Sequence, residues 1–199
     1  MVRLLSLDEG EFAVRTARRA IEERLSGREW RPETYPESFR ERRGVFTTLR
    51  THPEGALRGC IGYPEPIMPL IEALLSSAVA AATEDPRFRP VTLEEMDRIT
   101  VEVTVLTPPE PIDVPPERLP EEVVVGRDGL LVRYGVFSGL LLPQVPVEFG
   151  WDSRQFLEQT CMKAGLPPDC WLRGAKFYRF QGQIFEEIEP RGKVEEREL

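Results

Sequence analysis

Apolar positions recur at helical spacing from Ala13 through Ala17, Ala20 and Ile21 to Leu25, and Gly27 ends the run. Ser6-Leu7-Asp8-Glu9 reads as a capping box at its start, with hydroxyl and carboxylate satisfying free amides. A polar, proline-containing stretch from Arg28 to Arg43 reads as loop. Gly44 to Arg50 reads as a strand, Thr51 to Gly55 as a turn, and Leu57 to Gly62 as the returning strand. Leu70, Ile71, Leu74, Leu75, Ala78, Val79 and Ala82 form a complete apolar stripe, which predicts a central buried helix with Pro69 as its first residue. The opposite side of that helix carries Ser76, Ser77, Ala80 and Ala81, small enough for close packing.

A short helical turn near Leu93 to Met96 precedes a strand over residues 99–106, with Val101, Val103 and Val105 pointing inward. Pro108 to Pro120 is a proline-rich connection. Residues 122–125 and 130–133 read as a hairpin about Asp128-Gly129. Leu140-Leu141-Leu142 precedes Pro143 to Glu148, where the plainer reading of Glu148 is a solvent-facing carboxylate on an alternating strand, and Asp152 then caps a helix with Gln155 three residues on. Phe156, Leu157, Cys161 and Ala164 form that helix's inner face, and Gly165 closes it. Ala175 to Glu187 reads as one or two aromatic-rich strands, and the charged residues 191–199 read as a frayed tail. Hairpins outnumber crossover units, so the expected fold class is α+β, a largely antiparallel sheet flanked by helices.

At 199 residues the chain suits a single domain or a domain with a smaller lobe. If there are two lobes, residues 108–120 are the expected hinge. A net charge of −8 without a basic stripe argues against nucleic acid or an anionic membrane as partner. No apolar run is long enough to span a bilayer, and Asp8, Glu9 and Glu11 follow the start too closely for a signal peptide. Three cysteines, Cys60, Cys161 and Cys170, form no Cys-x-x-Cys pair and read as reduced thiols of a cytoplasmic protein. The absence of asparagine, together with 19 prolines, points to a thermophilic source.

Candidate chemistry centres on Leu57-Arg58-Gly59-Cys60-Ile61-Gly62. On a regular strand Arg58, Cys60 and Gly62 share one face, which puts a thiol beside a fixed cation, a setting that favours thiolate. Gly59 and Gly62 let a ligand or another backbone approach closely, and the backbone there offers donors for an oxyanion. The plainer alternative is a packed strand cysteine. Hairpin register places Thr47 opposite Cys60, and the only histidine, His52, falls in the turn, which argues against a Cys-His protease. Asp85 and Arg87 of Asp85-Pro86-Arg87-Phe88 are either a polar substrate contact or a self-satisfied ion pair. Gln144 and Glu148 stand amid apolar residues, where burial makes Glu148 a candidate general acid or base. There is no glycine-rich phosphate cradle, no metal-ligand cluster and no Cys-x3-Cys-x2-Cys for an iron–sulfur cluster, so no cofactor or metal is expected.

The hexamer resembles the signature of the AMME syndrome candidate region family. Asp85–Phe88, Leu141–Glu148, Trp151 through Leu166, and Lys176–Gln181 with Phe185 and Glu186 fit it in order over nearly the whole chain. The resemblance implies an α+β fold of two lobes, with the signature strand lining a groove that takes a small molecule or peptide. It implies no established reaction. Relatives are often encoded with, or fused to, Memo-like and radical S-adenosylmethionine proteins, which makes these the expected partners. Two functions compete. In one, an enzyme uses Cys60 as nucleophile, Arg58 as anchor and Glu148 for proton transfer, with Gly59, Gly62, Asp85, Arg87 and Gln144 binding substrate. In the other, Cys60 is structural and the protein is a non-catalytic partner.

Overall fold

A computed structural model describes residues 4–197 and divides the chain into two compact units. The first holds residues 4–106 and 183–197; the second holds residues 107–182. Elements of the first are α1 (Leu7–Leu25), β1 (Val45–Thr51), β2 (Leu57–Tyr63), α2 (Leu70–Thr83) and β3 (Ile99–Leu106). In the second lie β4 (Glu110–Pro111), α3 (Leu119–Glu122), β5 (Gly129–Tyr134), β6 (Phe137–Leu141), α4 (Gln144–Phe149), α5 (Ser153–Lys163) and β7 (Lys176–Phe180). The chain then returns to the first unit as β8 (Gly182–Glu187) and β9 (Val194–Arg197). The α+β expectation holds: one sheet has the order β2-β1-β3-β8-β9, the other β4-β7-β5-β6, and the β1–β2, β1–β3, β5–β6 and β5–β7 pairs are antiparallel.

Both capping boxes form as the sequence predicts, at Ser6/Glu9 and at Asp152/Gln155. In the first unit α1 and α2 cover one face of the sheet. Val45 and Leu49 of β1, Val101, Val103 and Val105 of β3, Phe185 and Val194 join Ala13, Ala17, Leu70 and Leu74 in one core. Because side chains alternate, Phe46, Thr48, Glu102 and Thr104 lie on the face away from those helices. Thr47 confirms the geometry: its hydroxyl is 2.8 Å from that of Ser77 on α2.

A buried ion pair ties this unit together. The Arg18 guanidinium donates to both carboxylate oxygens of Glu187 at 2.7 and 2.6 Å, and also to the carbonyls of Met96 and Ile99. Glu187 accepts the Val101 N–H at 3.0 Å as well. The N-terminal helix, the central strand β3 and the returning strand β8 are therefore joined by one hydrogen-bonded network. In the second unit Leu130 and Val132 of β5 pack with Phe156, Leu157, Trp171 and Phe177.

Several local expectations are overturned. Pro69 is the N-cap of α2, with extended ψ, and not its first helical residue. Residues 123–127 form a turn in which the Asp128 carboxylate accepts the Val124 N–H; the hairpin is β5–β6, closed at Gly135, whose φ is +58°. Asp128-Gly129 thus caps a turn where its composition suggested a hairpin tip. The proline-rich residues 108–120 lie inside the second unit and contribute β4 and the start of α3. The charged tail is not frayed through 194–197, because β9 pairs with β8; residues 198 and 199 lie outside the description. Cys161 and Cys170 are joined in a disulfide, which corrects their assignment as reduced thiols. Both are buried, one on α5 and the other in a short turn nine residues on, so folding of the second unit brings together sulfurs whose spacing matches no familiar motif.

Removing one member of a buried, multiply bonded pair leaves the other charge uncompensated. Glu187→Gln should therefore lower unfolding stability by about 3 kcal/mol, read by urea denaturation.

Candidate functional site

β2 is the edge strand of the five-stranded sheet, so one side of its backbone has no strand partner. Side chains from the segment after α2 take that place. The Cys60 N–H donates to Asp85 Oδ2 at 2.9 Å, and the Cys60 carbonyl accepts from Arg87 at 3.3 Å. Asp85 is itself bound by the Arg87 side chain at 3.0 and 2.8 Å and by the Arg87 backbone N–H at 3.1 Å. Asp85 is buried, and the Arg87 guanidinium bonded to it holds its carboxyl far below the usual carboxylate range. Burial works against that effect, and the Cys60 and Arg87 backbone N–H groups reinforce it. Arg87 is in turn raised by its bond to Asp85, with smaller contributions from the charges of Asp85 and Cys60.

Because both Cys60 peptide groups point outward, Cys60 and its cross-strand neighbour form a non-hydrogen-bonded pair, the arrangement in which side chains approach most closely. That neighbour is Thr48, not Thr47. Pairing runs from Arg50↔Leu57 to Leu49↔Gly59, so Arg58 is an extra residue in a β-bulge, and the register beyond it moves by one. The Thr48 hydroxyl donates to Cys60 Sγ at 3.3 Å. Thr48 is buried and Cys60 is half-buried on the face away from α1 and α2.

The bulge also releases Arg58 from the face it was expected to share with Cys60. Its guanidinium donates to Glu95 at 3.1 Å, to the Arg89 carbonyl at 2.9 Å and to the Pro90 carbonyl at 3.4 Å. Burial alone would raise Glu95, but the Thr92 N–H and Arg58 override it and hold the carboxyl below its ordinary value. The Phe88 ring meets two guanidiniums, 5.9 Å from Arg58 and 5.6 Å from Arg87. Arg58 is thus a staple for residues 88–95 rather than an anchor beside the thiol.

The glycines are explained by protein atoms, not by a ligand. A Cβ on Gly59 would lie 2.1 Å from the Ala81 carbonyl oxygen of α2, and one on Gly62 would enter the Phe46 ring at 2.2 Å. Nor is the Cys60 N–H free to serve an oxyanion, since Asp85 occupies it. Asp85 and Arg87 form the self-satisfied pair, yet the pair also grips the strand. Arg87 keeps an exposed guanidinium edge, with Nε and one terminal nitrogen engaged.

Gln144 and Glu148 lie in the second unit on the short helix α4, where the sequence suggested a strand. Glu148 is exposed and Gln144 half-buried. The burial that made Glu148 a candidate acid or base is absent, because a helical turn points it outward. His52 follows β1 in the turn, its N–H bonded to the Arg98 carbonyl. What the sequence reading missed is Thr48 and Glu102. Their signal was present, since inward Val101 and Val103 place Glu102 on the opposite face. Among the described residues, no group of three His, Cys, Asp or Glu side chains could hold a metal ion, and no helix is long and apolar enough to cross a membrane.

A family model described as AMMECR1 matches residues 14–185. Protein MJ0810 of Methanocaldococcus jannaschii is 62% identical over 200 residues, covering all of both chains. Protein PYRAB00100 of Pyrococcus abyssi is 58% identical over 96% of each. The crystal structure of uncharacterized protein PH0010 from Pyrococcus horikoshii superposes with a TM-score of 0.80 at 56% identity, covering 96% of this chain and 98% of that one.

Asp85→Ala should leave the Cys60 amide unpaired, and its hydrogen exchange should accelerate about tenfold or more. A carboxyl lowered on folding stabilises fully above its unfolded value of about 4, and that contribution is lost progressively as pH falls from there through the lowered folded value. The stability gap between wild type and Asp85→Ala should therefore be constant from neutral pH down to about 4 and shrink on further acidification, as followed by thermal melts across pH.

Proposed function

We propose, from the premise that the chain belongs to the AMMECR1 family, that it is an enzyme whose reactive group is the Cys60 thiol, acting on a small molecule or a protein substrate. The observation that carries this is the contact from the Thr48 hydroxyl to Cys60 Sγ at 3.3 Å, on a backbone fixed from its other side by Asp85 and Arg87. A hydroxyl donating to sulfur favours the ionised, nucleophilic form. A clamped strand holds the sulfur in one place, as attack on an electrophilic carbon requires. The free guanidinium edge of Arg87 supplies a binding point for an anionic substrate group. Arg58, Gly59, Gly62 and Asp85 support the strand and do not touch substrate in this scheme.

A second reading has one specific observation in its favour: nearly every polar group of Arg58, Asp85 and Arg87 is consumed by internal contacts. On that reading the signature builds a rigid surface, and the protein is a non-catalytic companion of Memo-like and radical S-adenosylmethionine proteins. A thermophilic source fits both readings, given relatives from Pyrococcus and an internal disulfide of the kind intracellular hyperthermophile proteins carry.

With Cys161 and Cys170 paired, Cys60 is the one free thiol, so iodoacetamide reports on it alone. The enzyme reading expects native protein to be alkylated at least as fast as protein unfolded in urea at pH 7. Labelling confined to the unfolded chain, with Cys60→Ser retaining full function in cells, would overturn it in favour of the companion.

A further inference from the structure

Among the described residues no carboxylate or imidazole is hydrogen-bonded to the Cys60 thiol, and the expected base, Glu148, is an exposed helical residue of the second unit. The sheet supplies another. Thr48 pairs with Cys60 on β2 and with Glu102 on β3, so the three side chains stand in one row across adjacent strands, on the face away from α1 and α2. Directly opposed residues have Cβ atoms roughly 4.5–5.5 Å apart, a span that a hydroxyl and a carboxylate can close. Thr48 is 6% exposed and Glu102 7%, so the row is largely withdrawn from water.

We infer that Glu102 is the proton acceptor for Cys60 and that Thr48 carries the proton between them; this rests on the reading of Cys60 as the reactive thiol. The Cys60 S–H bond breaks as its proton joins Thr48 Oγ1, and the Thr48 O–H bond breaks as that proton joins Glu102 Oε1. Thiolate, intact hydroxyl and carboxylic acid result, with no change in charge or electron count. Glu102 is prepared for this. Its recorded hydrogen bonds, from Arg50 at 3.5 Å and Arg197 at 3.0 Å, both use Oε2, which leaves Oε1 open among the described residues.

The charged groups around the carboxylate are Arg50 on β1 and Arg197 on β9, the latter shared with Glu186 of β8 at 3.2 Å. Other carboxylates of this unit near the strand are committed elsewhere, Asp85 to Arg87 and Glu95 to Arg58. In this scheme Thr48 and Glu102 are positioning and proton-handling residues; of the three, only Cys60 meets the substrate.

The test is the rate of Cys60 alkylation by iodoacetamide in the folded protein from pH 6 to pH 10. Thr48→Val and Glu102→Gln should each slow it about tenfold at pH 7, and both deficits should vanish near pH 10, where hydroxide removes the proton without help. Thr48→Ser should label like wild type, since it keeps the hydroxyl and loses only a methyl. Near-UV circular dichroism confirms that each variant is folded; if Glu102→Gln is not, the Thr48→Val and Thr48→Ser pair decides. A deficit independent of pH, or Thr48→Val labelling at the wild-type rate, overturns the proton path. Rapid labelling of wild type in that case would leave Cys60 as the reactive thiol, whereas its resistance until unfolding would remove that reading itself.

Discussion

Asp85 and Arg87 do for β2 what a neighbouring strand does elsewhere in the sheet: one accepts the Cys60 N–H and the other donates to its carbonyl. An edge strand with unpaired peptide groups is a hazard, and proteins cover such edges in various ways. Here the cover is an ion pair, so the groups that protect the edge are charged and bind the backbone of the residue that carries the free thiol. Everything on the other side of β2 follows from that outward commitment. Turning both Cys60 peptide groups away from β1 makes Cys60 and Thr48 a close, non-hydrogen-bonded pair, and this is what brings hydroxyl and sulfur together.

The bulge at Arg58 is the second determinant. One extra residue between Leu57 and Gly59 sends a long cationic side chain to the carbonyls of residues 89 and 90 and to Glu95. The segment from 85 to 95 is thus fixed to β2 twice, at Cys60 by Asp85 and Arg87 and at Arg58 by its own guanidinium. Gly59 completes the arrangement by admitting the Ala81 carbonyl where a side chain would stand. Arginine, glycine, cysteine and glycine in that order are therefore explained first by construction. The thiol is what remains after the structural accounting, together with the hydroxyl that faces it.

The Arg18–Glu187 pair joins α1 to β8 and β3, so segments far apart in the chain stabilise the strand that carries Glu102. A buried pair of this kind contributes little net energy compared with apolar packing, and its cost when broken is large. It fixes how β8 docks beside β3 after the excursion through the second unit. That unit has its own core and its own covalent link, the Cys161–Cys170 disulfide.

Patterns with short range were legible in the sequence: both capping boxes, the apolar stripe of α2, the alternation of β3 and the α+β class. Each depends on neighbours within a turn or a strand, so composition and spacing suffice. The family was legible as well, through the hexamer that forms β2. Tertiary structure decided the rest, because the deciding partners are distant in sequence. A bulge moved Thr48 into the place predicted for Thr47, Asp85 claimed an amide 25 residues away, and two cysteines without a recognisable spacing met in a disulfide. The residues around Glu148 misled for a related reason: alternation over so few residues fits a strand or a short helix equally well, and after β6 the chain turns at Pro143 into α4. Local pattern fixes what a segment can be; which atoms its side chains finally meet is set only when remote segments pack.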